Sequence, residues 1–368
     1  MQDRLIKIIS CILIASGFLL SSDDSHLRFF ITADVKGETE PCGWKKKPAG
    51  GLARKCTVVN NSKEAGFKTI VLDAGNLFFK KENIDPGIPM EVSKENANTI
   101  VQSFNHITCD AFSPGVKDFA AGLDFLKRLE SKSNFDYISC NVKDLSGNLI
   151  FKPYKIIQAN NLSVGVIGAS SKFIKEGENI SVGDPFDAIK ETSLSLRGQC
   201  DLVVLLFSAT DIDYKKLNTL SSSLGVDFIV RANTRRKSTD GGGGVVPIYS
   251  TGDRGKILYQ FDFKYKNLNS PLIDVAFYEK SIVNSQKRMS RLSDTSENLD
   301  RINDYKQKIQ LGNSIIEKAE NTLQFKSITL NKMVSDEPYV LKIVDAGKAK
   351  ILEMGGPSIL DPHHGHNH

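Results

Sequence analysis

"LRFFITADVKGETEPCGWKKKPAGGLARK", Leu27–Lys55, contains a strand, a loop and the start of a helix. Its first eight residues are rich in aromatic and branched apolar side chains and read as a strand running into a loop. Gly50 and Gly51 then open a helix with Leu52 and Cys56 on one face. The alternation continues outward. "KTIVLDAGNLFF" reads as a buried strand and loop, "ENANTIVQSFNHI" as a helix, and "CDAFSPG" as a short strand. "AAGLDFLKRLESKS" reads as a helix, and "FDYISCNV", "LSVGVIGAS", "CDLVVLLFSAT" and "VDFIVRAN" as further strands. "VVPIYSTGDRGKILYQFDFKYK" looks like two strands across a glycine-containing turn. Strands alternating with helices, followed by consecutive strands, predict a layered α/β domain over residues 27–268.

Composition shifts after that. Residues 281–325 are rich in charged and amide side chains with apolar residues near helical spacing, which predicts one or two amphipathic helices, broken near Gly312. A last helix follows, capped by Ser335 or Asp336 and stopped by Gly355-Gly356-Pro357, so residues 281–355 are expected to be a helical C-terminal region. Such helices could dock a protein partner. Residues 356–368 form a tail with His363, His364, His366 and His368 beside Asp361. Dense imidazoles of this kind bind Zn²⁺, Ni²⁺ or Cu²⁺ without needing a fold.

At the other end, Arg4 and Lys7 precede the apolar run Ile8–Leu20 and a polar exit. This is the pattern of a signal peptide over residues 1–22, and it places the mature chain in the periplasm or outside the cell. The run is short for a membrane span, so none is expected in the mature chain, although an uncleaved N-terminal anchor is an alternative. The formal net charge of +5 in 368 residues, with no aromatic-basic interleaving, argues against a nucleic-acid partner.

Five cysteines follow that leader. Cys109, Cys140 and Cys200 lie in apolar strand-like runs and read as small buried hydrophobes. Cys42 and Cys56 flank a loop rich in glycine, proline and lysine and are the best disulfide candidates in an oxidising compartment. Gly241–Gly244 lack the strand, helix and Lys-Ser/Thr of a P-loop and read as a surface loop.

"TADVKG", "GGLARK", "DAGNLF", "SPGVKDF", "IVRANTR" and "GDRGKILYQFDF" resemble, in order, the motifs of the catalytic domain of bacterial 5′-nucleotidases, a branch of the calcineurin-like metallophosphoesterases. The resemblance implies a four-layered α/β/β/α sandwich, and a site where two metal ions polarise a phosphate and generate a hydroxide nucleophile. It also shows what this chain lacks. The first motif should read Asp-x-His, but Asp34 is followed by Lys36. Asn76 stands where an aspartate should bridge the metals. Val116 and Lys117 replace an Asn-His pair, leaving Asp118 in kind. Ser208 is nearest to a further ligand histidine, and Asn233-Thr234-Arg235 replaces His-x-His. Apart from the tail, the histidines are His26 and His106, and His106 reads as a surface or packing residue on a helix. A lysine ammonium offers no lone pair to a metal near neutral pH.

Three functions follow as expectations. The first is a secreted, non-catalytic member of the fold that acts by ligand or protein binding and needs no cofactor in its body. Lys36, Lys117 and Arg235, with Arg54 nearby, would then hold a phosphorylated or acidic small molecule. Alternatively, Asp34, Asp73 and Asp118 neutralise those cations in a closed ion-pair network. The second is a phosphoesterase with a remodelled site, in which Asp34, Asp73, Asn76 and Asp118 hold one Mg²⁺ or Ca²⁺. The third is metal handling by the histidine-rich tail.

Overall fold

A computed structural model describes residues 25–43, 47–175, 177–239, 241–293 and 295–356. The expected signal peptide and the histidine tail lie outside the described residues. In chain order the elements are β1 (His26–Thr32), β2 (Pro41–Cys42), β3 (Ala49–Gly50), α1 (Leu52–Glu64), β4 (Thr69–Asp73), α2 (Ile88–Ile107), β5 (Ala111–Phe112), α3 (Leu123–Lys132) and β6 (Asp136–Tyr137). Next come β7 (Val142–Asp144), β8 (Tyr154–Ala159), β9 (Leu162–Ser170), β10 (Ile180–Val182), α4 (Pro185–Leu196), β11 (Leu202–Ser208), α5 (Asp211–Leu220), β12 (Phe228–Ala232) and β13 (Ile248–Ser250). The last elements among the described residues are β14 (Ile257–Lys264), β15 (Leu272–Asp274), α6 (Val275–Met289), α7 (Leu299–Lys318), β16 (Asn321–Thr329) and α8 (Pro338–Glu353).

Two sheets carry the architecture. The first has the order β15-β16-β14-β1-β4-β5-β6, and the second β13-β12-β11-β9-β8. The period-two rule of strands shows how they stack. In β1, Leu27, Phe29 and Ile31 face the second sheet, while Phe30 faces α1 and α2. In β11, Leu202, Val204 and Leu206 face the first sheet, and Val203, Leu205 and Phe207 face α4 and α5. A parallel strand buried on both faces must be apolar throughout, which explains the unbroken run "LVVLLF". Three apolar interfaces thus separate four layers, and the α/β/β/α sandwich is the observed fold.

Several local expectations are corrected. β13 and β14 are not a hairpin: they belong to different sheets, and the glycine-containing segment between them crosses from one to the other. The C-terminal region is not wholly helical. β16 returns to the first sheet between β14 and β15, with Leu323 and Phe325 in the inter-sheet core. Gly312 does not break α7. A Cβ there would lie 2.9 Å from Ile282, so the glycine lets α7 pack closely on α6. The cap of α8 is Glu337, whose carboxylate accepts from the Tyr339 and Val340 N–H groups ahead of Pro338 in the first turn.

Candidate functional site

The C-terminal ends of β1, β4, β5, β11 and β12 lie at one edge of the two sheets, where α/β proteins commonly place ligands. The loops there are zipped together by their backbones. Asp34 N–H donates to Gly75 O at 2.8 Å, Lys36 N–H to Asn76 O at 2.9 Å, Gly37 N–H to Leu77 O at 2.9 Å, and Arg254 N–H to Asp34 O at 2.7 Å. Asp34, Lys36, Asn76, Asn233 and Arg254 all adopt left-handed backbone, with φ between 51° and 62°. That conformation costs a non-glycine residue on the order of 1 kcal/mol, and it collects at motif positions here.

Asp34 is fully buried at the centre. Its Oδ1 accepts from Asn76 Nδ2 at 3.0 Å, and its Oδ2 accepts from Thr234 N–H at 3.1 Å. Lys36 Nζ lies 3.5 Å from the same Oδ1 and 2.5 Å from Asp253 Oδ1. Burial pushes the Asp34 carboxyl above the usual carboxylate range, and Lys36 and the Asn76 amide pull partly back. Asn76 Nδ2 also approaches Asn233 Oδ1 at 3.5 Å, and Asn76 Oδ1 accepts from the Lys117 N–H at 3.1 Å. Asp34, Lys36, Asn76, Lys117 and Asn233 therefore meet, as their motifs imply.

Asp73 and Asp118 are committed elsewhere. Asp73 accepts from Thr32 Oγ1 at 2.7 Å and Gly75 N–H at 3.0 Å, and Lys55 donates to Thr32 Oγ1 at 2.8 Å. Asp118 accepts from Phe78 N–H and Gly115 N–H, both at 2.8 Å. Burial pushes both carboxyls up to about 7 against these donors. Among the described residues the oxygens of Asp34, Asp73 and Asp118 do not gather within 4.8 Å of one another. Each carboxylate is instead held by donors from neighbouring loops and strands: Asp34 by Asn76 and Thr234, Asp73 by Thr32 and Gly75, and Asp118 by Phe78 and Gly115.

The cations divide. Lys36 is in ion pairs, whereas half-buried Lys117 makes no ion pair or side-chain hydrogen bond among the described residues. Burial and then the Lys36 charge push its ammonium below the usual lysine range. Ser208 Oγ is buried and unpartnered among the described residues. A Cβ at Gly115 would lie 2.5 Å from that oxygen and 2.6 Å from Asn76 Oδ1, so Ser208 faces Asn76 across the glycine. Arg235 is exposed on the loop after β12. Arg54 is not part of the cluster. On the buried face of α1, its Nη1 donates to Leu330 O at 3.2 Å and its Nε lies 3.4 Å from Asp336.

Sequence reading missed two buried cations. Lys55 is 2% exposed, lies 3.9 Å over the Phe104 ring and neighbours Asp73. Its place between Leu52 and Cys56 on the apolar face of α1 was the available signal. Arg231, fully buried in β12, pairs with Asp211 at 2.6 Å.

The Cys42–Cys56 disulfide does not form: both thiols are free. Cys42 lies among Glu38, Arg254 and Lys256, whereas Cys56 lies among Glu337, Lys63 and Asn60, so the two occupy different surroundings. Cys109, Cys140 and Cys200 are buried, as expected. The glycine loop encloses a side chain of the protein itself, with the Gly242 and Gly243 N–H groups donating to Asp274 at 2.5 and 3.2 Å.

No protein-family model matches the chain. The trifunctional nucleotide phosphoesterase protein YfkN of Bacillus subtilis is 24% identical over 218 residues, covering 51% of this chain and 14% of that protein. A 5′-nucleotidase of Bos taurus is 26% identical over 184 residues, covering 47% and 30%. The chain thus spans under a third of these curated relatives. Among solved structures, the 5′-nucleotidase precursor from Thermus thermophilus superposes with a TM-score of 0.64 at 15% identity, covering 89% of this chain and 59% of that one. The calcineurin-like phosphoesterase YfkN from Bacillus subtilis superposes with 0.61 at 17% identity, covering 89% and 98%. The fold is that of the 5′-nucleotidase branch of the metallophosphoesterases, and the sequence relatives are phosphoesterases of the same branch.

Proposed function

We propose that this chain is a non-catalytic relative of the 5′-nucleotidases and holds a small anion, a phosphate or carboxylate group, where hydrolysis takes place in catalytic members of the fold. One observation carries the reading: the Lys36 ammonium sits 3.5 Å from Asp34 Oδ1. A cation of the protein neutralises the carboxylate that a metal ion would otherwise share. A divalent ion placed there would be repelled by Lys36 and Lys117 over a few ångströms.

Lys117 and the Ser208 hydroxyl favour binding over a fully closed network. Among the described residues, a half-buried ammonium that makes no ion pair and a buried hydroxyl that makes no hydrogen bond both lose solvation that a ligand oxygen would restore. Arg235 follows Thr234, whose N–H reaches Asp34, and would add a bidentate contact to a bound anion. Calorimetric titration with phosphate and with a nucleoside monophosphate tests the proposal. Binding is expected in the micromolar to millimolar range, weakening as salt rises and lost in Lys117→Glu. Absence of heat at low salt for both ligands would remove the anion site and leave the closed network.

Metal handling through His363, His364, His366 and His368 is a separate proposal that concerns the tail alone. Loss of Zn²⁺ affinity on deleting residues 361–368 is its test.

A further inference from the structure

Cys56, His106 and Glu337 come from α1, the last turn of α2 and the N-cap of α8. The Cys56 Sγ, a ring nitrogen of His106 and a Glu337 carboxylate oxygen all lie within 4.8 Å of one another. This is the one such group of three among the described residues. It lies apart from the Asp34 cluster and shares no residue with it.

We propose that Cys56, His106 and Glu337 form a zinc site that fastens α8 to the outer helical layer. Sulfur, imidazole nitrogen and carboxylate oxygen are the three ligand types zinc accepts, at about 2.0–2.3 Å from the ion. Three protein ligands leave one position for water. A mixed set with a thiolate also selects against Mg²⁺ and Ca²⁺, which take oxygen ligands.

The surroundings hold each ligand in place. His106 Nε2 lies 3.6 Å from Glu337 Oε2, and the imidazole stacks on Tyr339 with ring centroids 4.5 Å apart. Glu337 is oriented by the N–H groups of Tyr339 at 3.1 Å and Val340 at 2.7 Å, which leave lone pairs on both oxygens. Cys56 accepts from Asn60 Nδ2 at 3.5 Å. The approach to α8 is pinned to α1 as well, by Glu337 N–H to Ala53 O at 3.2 Å and Thr57 Oγ1 to Ser335 O at 2.7 Å. Outer contacts of this kind fix the orientation of metal ligands. Two cations act on Cys56: Lys63, whose ammonium donates to Thr108 Oγ1, and buried Lys55, and both favour its thiolate. His106 faces solvent and Cys56 the core, so an ion enters from the His106 side.

Cobalt titration of the full chain tests the site. Thiolate ligation to Co²⁺ produces a near-ultraviolet charge-transfer band that the tail imidazoles cannot give. The band should saturate at one equivalent, disappear on adding Zn²⁺, persist in Cys42→Ser and vanish in Cys56→Ser. His106→Ala, at a solvent-facing position, and Glu337→Gln, which keeps a capping oxygen, should each weaken the Co²⁺ affinity at least about ten-fold. Absence of the band in the unsubstituted chain overturns the site. So does an unchanged band and affinity in His106→Ala, a result that does not depend on whether Cys56→Ser folds.

Discussion

Lys36 and Lys117 occupy neighbouring positions and have opposite fates. Lys36 is held between Asp34 and Asp253, so removing its charge strands a fully buried carboxylate. Lys36→Met should therefore cost about 2–3 kcal/mol in chemical denaturation, toward the lower range for a broken buried pair because Asp253 is partly exposed. Lys117 makes no ion pair among the described residues, and burial and the Lys36 charge outweigh the attraction of Asp34, Glu82 and Asp253. Lys117→Met should stay within about 0.5 kcal/mol of the unsubstituted chain in the same experiment, while losing anion affinity. Ser208→Ala should behave similarly, with stability kept or raised, since an unpartnered hydroxyl is removed, and with phosphate binding weakened. If Lys117→Met unfolded as readily as Lys36→Met, the division between a structural and a binding lysine would fail. The identity of each residue at the site was legible in the motifs. Their pairing was not, because Asp253 reaches Lys36 from the crossover between β13 and β14, distant in sequence.

Elements were legible where a period dominated. The alternation in β1 and the unbroken apolar run in β11 each announce their layer. β16 was misread because its polar residues suit a helix, although Leu323 and Phe325 already follow period two. What makes it a strand is pairing on both sides, with β14 and β15. At the β1–β14 pair, Arg28 stands opposite Asp262 and donates to it at 2.5 Å, while His26 lies 3.1 Å away. Burial pushes the Asp262 carboxyl up, but the hydrogen bonds from His26, Arg28 and Gln260 outweigh it and hold the carboxyl at about 2. Because this folded value lies below the ordinary aspartate value, the contribution is full above about pH 4 and is lost as pH falls through about 2. Asp262→Asn should cost about 2 kcal/mol at neutral pH and flatten stability below about pH 4, as read from urea midpoints across pH. An unchanged acid limb would contradict the pairing. In α8, a Cβ at Gly347 would lie 2.1 Å from Thr99 Oγ1 on α2. Gly347→Ala should lower stability by about 1–3 kcal/mol through overpacking, despite the helix propensity of alanine. A gain in the unfolding midpoint would show that the two helices can separate without cost.

Over the whole molecule, the fold stands independently of the groups at the site. Three apolar interfaces between four layers need no metal, and backbone hydrogen bonds between the loops hold the strained residues near Asp34. The architecture can therefore persist while its ligand positions change, which is why the motifs announce the fold and only side-chain contacts speak to the chemistry. The Cys56–His106–Glu337 group was not legible at all, since its members come from three separate helices and belong to no motif. A metal held there would tie the helices together outside the Asp34 cluster, so turnover rather than metal content decides whether the chain is an enzyme. Hydrolysis of a nucleoside 5′-monophosphate should be measured with Mn²⁺, Mg²⁺, Co²⁺ and Zn²⁺, comparing the chain with Asp34→Ala and with a variant whose four tail histidines are replaced by alanine. No turnover above the Asp34→Ala background is expected with any of the four ions. Metal-dependent hydrolysis that survives loss of the tail histidines and disappears in Asp34→Ala would contradict it.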